Sequence, residues 1–420
     1  MSVSDQSFSN QAKTARHPFW ILATIYALFG PVAAFAKMGT VPLITFSILG
    51  QVSFKSLVRN LKKALSTRFA LTLWILIGWS ALSFIWSDNL HIFSLFRLTL
   101  VIILALLFVH TVGQMPISEK EKLIYFVIGT SSFLLFVLLV EGATEALLHR
   151  IIRPEDSQPR DGEWVPYLQM VAARGTAFLA PLCFIVATIV RQTFRRQWIG
   201  ILFIVISLVA TYRLPMGASA LAIVIGSIAY GLAHWIPRSV TRLAFTGLAC
   251  FALSAPIIMT SFVTVENLES NGVELSRAVK QRLEIWQYSS ELILERPILG
   301  YGFDTSRDIG NEGLIIEGTN WPALPLHPHN AVLQIWLELG IVGVIAVCII
   351  LWELWRNLEG KIRSGQEIAM ALAAFLAIIT ISLISFGVWQ YWWIAAWALI
   401  AGAAQLIQPE PEKNLDMLES

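Results

Sequence analysis

The chain has 420 residues, of which 56% are hydrophobic and only 14% are charged. Soluble domains carry roughly 25% charged residues, so this composition excludes a soluble enzyme and a disordered chain. The net charge of +2 also excludes a nucleic-acid binder with an extended basic face. The sequence therefore predicts a protein whose surface faces lipid over most of its area.

Twelve apolar segments read as membrane-spanning helices, because a bilayer core about 30 Å thick needs about 20 apolar residues to cross it. They fall at residues 18–36, 38–54, 67–86, 91–112, 122–145, 169–190, 198–212, 216–236, 242–263, 331–355, 367–386 and 388–407. We expect one all-α domain over residues 1–420 that crosses the membrane about twelve times.

The basic residues indicate the orientation, since lysine and arginine are enriched in cytoplasmic segments. With the N-terminus inside, the cytoplasmic segments hold Lys13, Arg16, Lys55, Arg59, Lys62, Lys63, Arg68, Lys120, Lys122, Arg191, Arg195, Arg196, Arg238, Arg242, Arg356, Lys361, Arg363 and Lys413. The opposite side has fewer basic residues. Both termini are therefore expected in the cytoplasm.

One outer segment, residues 264–330 between the ninth and tenth spans, is large enough to hold structure of its own. Within it, Ser276 is expected to cap a helix that runs to Glu295 and stops before Pro297. An apolar stripe at helical spacing supports that helix and consists of Val279, Leu283, Trp286 and Ile293. Such a helix would lie on the membrane surface or pack across the mouth of the bundle.

Three arginines on different helices reach the same depth in the outer leaflet. Arg97 lies in the fourth span, Arg174 near the start of the sixth and Arg213 at the end of the seventh. Each would cost about 2.5–3.5 kcal/mol if it faced lipid. Snorkelling to the headgroups, or pairing with Glu141 or Glu338, is one explanation. A shared cavity that holds an anion is the other, and it offsets all three costs together.

The loop itself does not attract anions in general, because residues 264–328 hold ten acidic and five basic residues. If Arg282 and Arg296 bind an anion, they use the guanidinium fork that suits phosphate oxygens. The alternative is that they pair with glutamates on the same helix.

Two histidines and an asparagine stand directly before the tenth span. His327 and His329 lack a third ligand at metal spacing, so a metal site is not expected. A neutral imidazole is the natural group to take a proton from a hydroxyl near neutral pH. Asn330 reads either as the N-cap of the tenth helix or as a group that hydrogen-bonds substrate.

Glycines and tryptophans in the second half of the chain read as structural residues. Gly300 and Gly302 predict a turn, whereas Gly340 and Gly343 predict close helix packing inside the tenth span. The last span begins with a run of tryptophans typical of an interfacial belt: Trp389, Trp392, Trp393 and Trp397.

The motifs resemble those of the O-antigen ligase and polymerase superfamily. Residues 329–343 fit the pattern H-N-x-x-L-(x)6-G-x-x-G, which is similar to the signature of that family. Residues 282–286 and 296–302 resemble its segment R-x-x-x-W … P-x-x-G-x-G, and Arg174-Gly175 resembles another arginine of the pattern. The topology agrees as well. At residues 211–215 the chain departs from the family, which often carries a Ser-Arg pair there.

This resemblance implies a glycosyltransferase in the bacterial inner membrane, with its active site on the periplasmic face. The donor would be a glycan on undecaprenyl pyrophosphate, and the acceptor a glycolipid or a second lipid-linked glycan. O-antigen ligation to lipid A-core is the first interpretation. A polymerase of O-antigen or exopolysaccharide repeats is the alternative, and a lipid-linked oligosaccharide transporter is a third.

The resemblance and the arginines together lead to a hypothesis for the reaction. It is a metal-independent single displacement with inversion at the anomeric carbon, without a cofactor and without a nucleic-acid partner. His329 is the expected general base, with His327 as the alternative. The expected pyrophosphate or substrate ligands are Arg174, Arg282, Arg296, Arg97, Arg213 and Asn330. Permanently charged arginines would take the place of a metal in stabilising the leaving pyrophosphate.

Overall fold

The structure is a computed structural model, and it describes residues 3–51, 53–154, 167–310, 313–316, 319, 321–360 and 364–407, with side chains from residue 19 onward. Lys361, Arg363 and Lys413, three of the basic residues expected in the cytoplasm, lie outside the described residues, as do the side chains of Lys13 and Arg16. Within the described ranges the chain forms helices and a single isolated antiparallel bridge between Ile315 and Pro322.

Short connections join most of the successive α-helices. In chain order they are α1 (Val3–Phe35), α2 (Thr40–Thr45), α3 (Phe54–Leu65), α4 (Arg68–Leu82), α5 (Ile92–Gly113), α6 (Ile117–Ala143), α7 (Leu147–Ile152), α8 (Tyr167–Ala173), α9 (Thr176–Phe194), α10 (Gln197–Tyr212), α11 (Gly217–Trp235), α12 (Pro237–Ser261), α13 (Val265–Ser270), α14 (Arg277–Glu295), α15 (Ser306–Gly310), α16 (Ala331–Glu359), α17 (Gly365–Ile384) and α18 (Tyr391–Ala404).

The predicted spans all coincide with apolar helices. Among the described residues, eight helical segments are long and apolar enough to cross a membrane: Arg68–Ile85, Ile92–Gly113, Ile117–Ala143, Tyr167–Phe194, Gly217–Trp235, Pro237–Ser261, Ala331–Glu359 and Gly365–Ile384. Four shorter apolar helical segments match the remaining predicted spans: Phe19–Phe35, Lys37–Gly50, Gln197–Tyr212 and Tyr391–Ala404. The prediction of an all-α, multi-pass membrane protein is confirmed. The total of twelve crossings remains a prediction.

Helix α9 forms the centre of the bundle and is buried along almost its whole length. It packs against α6, α10, α11, α17 and α18. Glycines allow two of these contacts, because a Cβ at Gly226 would meet the ring of Phe184 and a Cβ at Gly200 would meet the backbone of Ala187. The close packing fixes the start of α9, which follows Arg174 and the N-cap residue Gly175.

The predicted interfacial belt is wrong for three of the four tryptophans near α18. Trp389, Trp392 and Trp393 are only 9%, 2% and 1% exposed. They lie inside the bundle because aromatic partners surround them: Phe386 packs against Trp392 and Trp393, and Phe178 of α9 contacts both rings. The start of α18 is therefore a packed aromatic core beside the connection from α17.

Helix α16 is broken at Gly340, where the prediction was close helix packing. Gly340 has φ +61° and ψ −164°, and Gly300 of the preceding loop has φ +68°. A Cβ at Gly340 would overlap the carbonyl of Ile298, and a Cβ at Gly300 would overlap the backbone of Glu338. Two backbone segments thus cross at van der Waals distance, which only glycine permits at these φ angles. The turn predicted at Gly300 and Gly302 is confirmed.

The crossing satisfies the backbone groups that the break exposes. Three hydrogen bonds join the loop to α16: Tyr301 N–H to Leu337 O and Gly302 N–H to Glu338 O, both at 2.8 Å, and Ile341 N–H to Pro297 O at 2.9 Å. Unpaired backbone groups cannot be tolerated in the apolar interior. The loop motif and the glycines of α16 therefore form one structural unit.

Helix α14 lies at the end of the bundle where α16 begins and α17 ends, which we call the site end. Its bounds match the predicted helix, although the Ser276 side chain makes no capping hydrogen bond. Leu283 and Ile293 are buried, and the helix packs against α12 and α16. Of the two predicted placements, the structure has the helix packed across the bundle.

Candidate active site

Four consecutive residues before α16 are each fixed by a different contact. Nδ1 of His327 accepts the backbone N–H of His329 at 3.1 Å, and the carbonyl of Pro328 accepts the indole N–H of Trp286 at 3.0 Å. Oδ1 of Asn330 accepts the backbone N–H groups of residues 332 and 333, so it caps α16. The segment is therefore held rigidly at the entrance of the helix.

His329 has a defined tautomer. Its Nδ1 lies 2.7 Å from the carbonyl oxygen of Ser385, which can only accept, so Nδ1 carries the proton. Nε2 of the neutral ring then keeps its lone pair, and no protein partner for Nε2 is found among the described residues. The residue also has φ +57°, an uncommon backbone conformation outside glycine. The fold thus holds His329 in an uncommon backbone conformation, in which Nδ1 is hydrogen-bonded and Nε2 has no protein partner among the described residues.

His327 is held as a structural, neutral ring. Its Nδ1 is occupied as an acceptor, and its Nε2 lies 3.2 Å from the carboxamide of Gln390. Because Nδ1 accepts a hydrogen bond, the proton of the neutral ring lies on Nε2, which then has no lone pair for a substrate proton. Burial is the largest cause that lowers the pKa of His327 to about 3, followed by the neighbouring His329 and Arg307. Both nitrogens are therefore engaged, which favours His329 over His327 as the group that accepts a substrate proton.

Arg282 lies beside His329. Its Nε donates to the carbonyl of Ile384 at 2.9 Å, and its Nη1 to the carbonyl of Ala278 at 3.3 Å. Arg282 and His329 therefore bind the consecutive carbonyls of Ile384 and Ser385 at the end of α17. These contacts leave N–H groups of the guanidinium available for a ligand.

The motif R-x-x-x-W of α14 has a geometric explanation. Residues four apart lie on one face of a helix. Arg282 reaches the end of α17, and Trp286 one turn later reaches the segment that carries His329. Both side chains thus position the same entrance to α16.

Electrostatics keep the imidazole of His329 neutral. Burial is the largest cause that lowers its pKa, the hydrogen bond to Ser385 raises it, and the charge of Arg282 lowers it further. Burial also lowers the pKa of Arg282, from an ordinary value so high that the guanidinium stays charged. A neutral base therefore stands next to a permanent cation.

Arg174 lies in the turn between α8 and α9. Gly175 follows it at a tight position, where a Cβ would be 3.0 Å from Cδ2 of Leu138 and 3.4 Å from the carbonyl oxygen of Ala33. The charge of Arg174 acts on Lys37, whose pKa is lowered to about 8, chiefly by burial and then by that charge. Arg174 thus lies at the site end, next to the end of α1.

Arg213 and Arg97 are both exposed. Arg213 follows α10, and its Cβ occupies the space that a Cβ on Gly142 of α6 would need. Arg97 is on the outer face of α5, whose buried side consists of neighbours such as Leu95 and Leu98. Neither arginine has a hydrogen-bond or ion-pair partner among the described residues. The structure does not bring them against His329.

Arg296 stands far from Arg282 along the same helix. Fourteen residues separate the two, which corresponds to about 21 Å at 1.5 Å per residue. The Arg296 guanidinium is 4.5 Å from the centre of the Tyr301 ring, whose hydroxyl donates to Glu295. The structure therefore groups Arg282 with His329 and holds Arg296 at the opposite end of α14.

Glu338 has a structural role that the sequence did not indicate. Its carboxylate is fully buried and accepts from the backbone N–H of Asp304 at 2.7 Å and from the indole of Trp389 at 2.5 Å. Ser306 and Gln334 also donate to it. It therefore ties α16, the loop before α15 and the α17–α18 connection together beneath the site, and it does not pair with any of the predicted arginines.

Three further contributors were missed from the sequence. They are Lys37, Gln390 and the carbonyl of Ser385. A main-chain carbonyl leaves no trace in a sequence. Lys37 had a signal, however: it follows the first apolar segment, on the side where basic residues are few.

Part of the chain resembles a known protein family. Residues 202–348 match the family model described as O-Antigen ligase. This part of the chain is therefore similar to an O-antigen ligase domain. The matched segment begins in α10 and ends in α16, so it contains the α14 motif, His329 and the broken helix. Arg174 and Lys37 lie before it.

Proteins that are similar to this chain carry related names. A candidate polysaccharide ligase of Rickettsia conorii is 28% identical over 334 residues, which are 77% of this chain and 76% of that protein. One of Rickettsia felis is 30% identical over 54% of this chain and 56% of its own length. A general O-oligosaccharyltransferase of Acinetobacter baylyi is 29% identical over 42% of this chain and 29% of its length. The matched part spans about half the length of most of the Rickettsia relatives.

Proposed function

We propose that this protein is an inner-membrane glycosyltransferase that moves a glycan from undecaprenyl pyrophosphate to an acceptor at the periplasmic face. The acceptor proposed first is lipid A-core, which makes the protein an O-antigen ligase. The match of residues 202–348 to the O-antigen ligase family model supports transfer of a glycan, and the names of similar proteins agree. The positive-inside distribution of basic residues supports a periplasmic site end.

The observation that carries the proposal is the pair formed by His329 and Arg282 at the end of α17. A neutral imidazole with a free Nε2 and a cation with free N–H groups are fixed on adjacent carbonyls. A transfer from a pyrophosphate needs these two groups: a base for the incoming hydroxyl and a positive charge for the leaving group.

The reaction follows from these two roles. The acceptor hydroxyl oxygen attacks the anomeric carbon on the face opposite the pyrophosphate, and the new glycosidic C–O bond forms. The bond from that carbon to the phosphate oxygen breaks, and its electron pair stays on the leaving pyrophosphate. Nε2 of His329 takes the hydroxyl proton, and the Ser385 carbonyl stabilises the imidazolium through Nδ1. A single displacement of this kind inverts the anomeric configuration.

Arginine supplies the charge stabilisation in this proposal without a metal. Arg282 stays charged throughout, and its remaining N–H groups suit phosphate oxygens. Arg174 lies at the same end of the bundle and is proposed as a second pyrophosphate ligand. Arg296, Arg97 and Arg213 are placed away from His329, so we assign them to the periphery of the proposed site.

Transfer by the purified full-length protein tests the proposal. Undecaprenyl-pyrophosphate oligosaccharide would be the donor, EDTA would be present, and lipid A-core and a second lipid-linked oligosaccharide would be offered separately. Product on lipid A-core with inverted configuration is expected. Ladders only on the second acceptor would make the protein a polymerase. Product with retained configuration would contradict single displacement, and movement of donor across liposomes without product would indicate a transporter.

A further inference from the structure

A lysine at the end of α1 lies against the aromatic core of the site end. Nζ of Lys37 is 4.4 Å from the centre of the Trp392 ring at the start of α18. The next helix is fixed to the same residue, because Oγ1 of Thr40 donates to the carbonyl of Trp392 at 3.0 Å. Lys37 is only partly exposed, so its position is set by packing.

The same lysine is coupled to Arg174. The backbone next to Arg174 approaches α1 at Ala33, four residues before Lys37, where a Cβ at Gly175 would be 3.4 Å from the Ala33 carbonyl oxygen. The charge of Arg174 is strong enough at Lys37 to lower the pKa of the ammonium group, in addition to the larger effect of burial. With a pKa of about 8, Lys37 is still mostly protonated at neutral pH. The turn that holds Arg174 thus packs against the last helical turns of α1 before Lys37, and the two charges act on each other.

Neither cation has a carboxylate partner in the part of the chain that the structure describes. Two like charges that are partly buried repel each other and lose hydration. A bound anion removes both costs, and phosphate oxygens suit an ammonium and a guanidinium together.

The α17–α18 connection joins this pair to the proposed catalytic pair. Ile384 and Ser385 bind Arg282 and His329 through their carbonyls. The next residue, Phe386, has its ring 4.7 Å from that of Trp392, on which Lys37 rests. Arg282 and His329 therefore contact the start of this short segment, and Lys37 packs near its end through the ring of Trp392.

We propose that Lys37 is a pyrophosphate-binding residue that acts with Arg174 on the lipid-linked donor, so that the site end recognises a lipid pyrophosphate in preference to a lipid monophosphate. This inference rests on the proposed function. Lys37 is a binding residue only, because the proton transfer belongs to His329. A diphosphate carries more negative charge than a monophosphate, and Lys37 and Arg174 supply two positive charges in addition to that of Arg282.

Binding by the full-length protein in nanodiscs tests the inference, with undecaprenyl pyrophosphate and undecaprenyl monophosphate as probes. Loss of one charge-assisted contact is expected to weaken pyrophosphate binding by Lys37→Ala roughly ten- to hundredfold. Monophosphate binding should change much less, so the preference between the probes falls. Lys37→Arg should retain the preference. Lys280→Ala is the matched control, since this outer-loop lysine pairs with Glu269.

Kinetics separate this inference from the proposed function. Lys37→Ala should raise the KM for the donor while the KM for the acceptor stays unchanged. If the wild-type protein transfers glycan, and both Lys37→Ala and the near-isosteric Lys37→Met keep wild-type donor binding, the role of Lys37 is wrong and the proposed function stands. If Lys280→Ala weakens binding equally, the effect is general electrostatics and the inference is also wrong. A wild-type protein that neither binds pyrophosphate lipid nor transfers glycan would overturn both.

Discussion

Replacement of Trp286 by phenylalanine tests whether α14 positions the catalytic segment. The substitution keeps a ring in the same place and removes the indole N–H that donates to the Pro328 carbonyl at 3.0 Å. A net hydrogen bond contributes about 0.5–1.5 kcal/mol to stability, so the protein should remain folded. His329 directly follows this carbonyl in a strained backbone, and a displacement of about 1 Å in a catalytic group costs up to roughly a hundredfold in rate. We therefore expect the rate of transfer to fall at least about tenfold, more than the stability loss accounts for.

The assay is the initial rate of glycan transfer at saturating donor and acceptor, normalised to monodisperse protein. Trp352→Phe is the matched control, because Trp352 is 52% exposed on the far half of α16. It should retain the wild-type rate. Full activity in Trp286→Phe would refute the positioning role, and so would a loss that merely follows the amount of folded protein.

Further predictions concern the broken helix and the titration of the two histidines. Gly340→Ala places a Cβ at φ +61° against the Ile298 carbonyl, so we expect a lower melting temperature and reduced transfer. Gly231→Ala is the control, because a Cβ there meets nothing within 4 Å, and it should be neutral or slightly stabilising. Equal melting temperatures of the two variants would contradict this prediction. His329 must be neutral to act as a base, and its pKa in the folded protein lies below the ordinary 6.5. The rate of transfer should therefore stay constant above pH 6.5 and decline only below it. A fall in rate centred above pH 6.5 would contradict the assignment. His327 is a base with its folded pKa lowered to about 3, so the folded state binds fewer protons than the unfolded state between pH 3 and 6.5. Its contribution to the free energy of unfolding is thus complete above pH 6.5 and lost as the pH falls toward 3, which acid melting curves of wild type and His327→Gln would measure.

The spans and α14 could be predicted because both leave simple patterns in the sequence. Apolar runs of about 20 residues mark helices that face lipid, and the stop before Pro297 marked the end of α14. The spacing of Arg282 and Trp286 also predicted that both side chains lie on one face of α14. The same helix already implied that Arg296 lies about 21 Å from Arg282, because fourteen residues of helix separate them.

Other features depend on contacts between distant segments. The tryptophans of α18 resemble an interfacial belt in sequence, yet Phe178 and Phe386 bury Trp392 and Trp393. Gly340 breaks its helix because a loop crosses it, which local spacing does not reveal.

The central claim is that His329 removes the proton from the acceptor hydroxyl. The most direct measurement is the single-turnover rate of transfer by His329→Ala at saturating donor, beside wild type and His327→Ala. We predict that His329→Ala binds undecaprenyl pyrophosphate like wild type but transfers roughly 10²- to 10⁴-fold more slowly, as expected for loss of a general base. His327→Ala should lose less, through mispositioning alone. A folded His329→Ala protein that transfers at the wild-type rate would contradict the account.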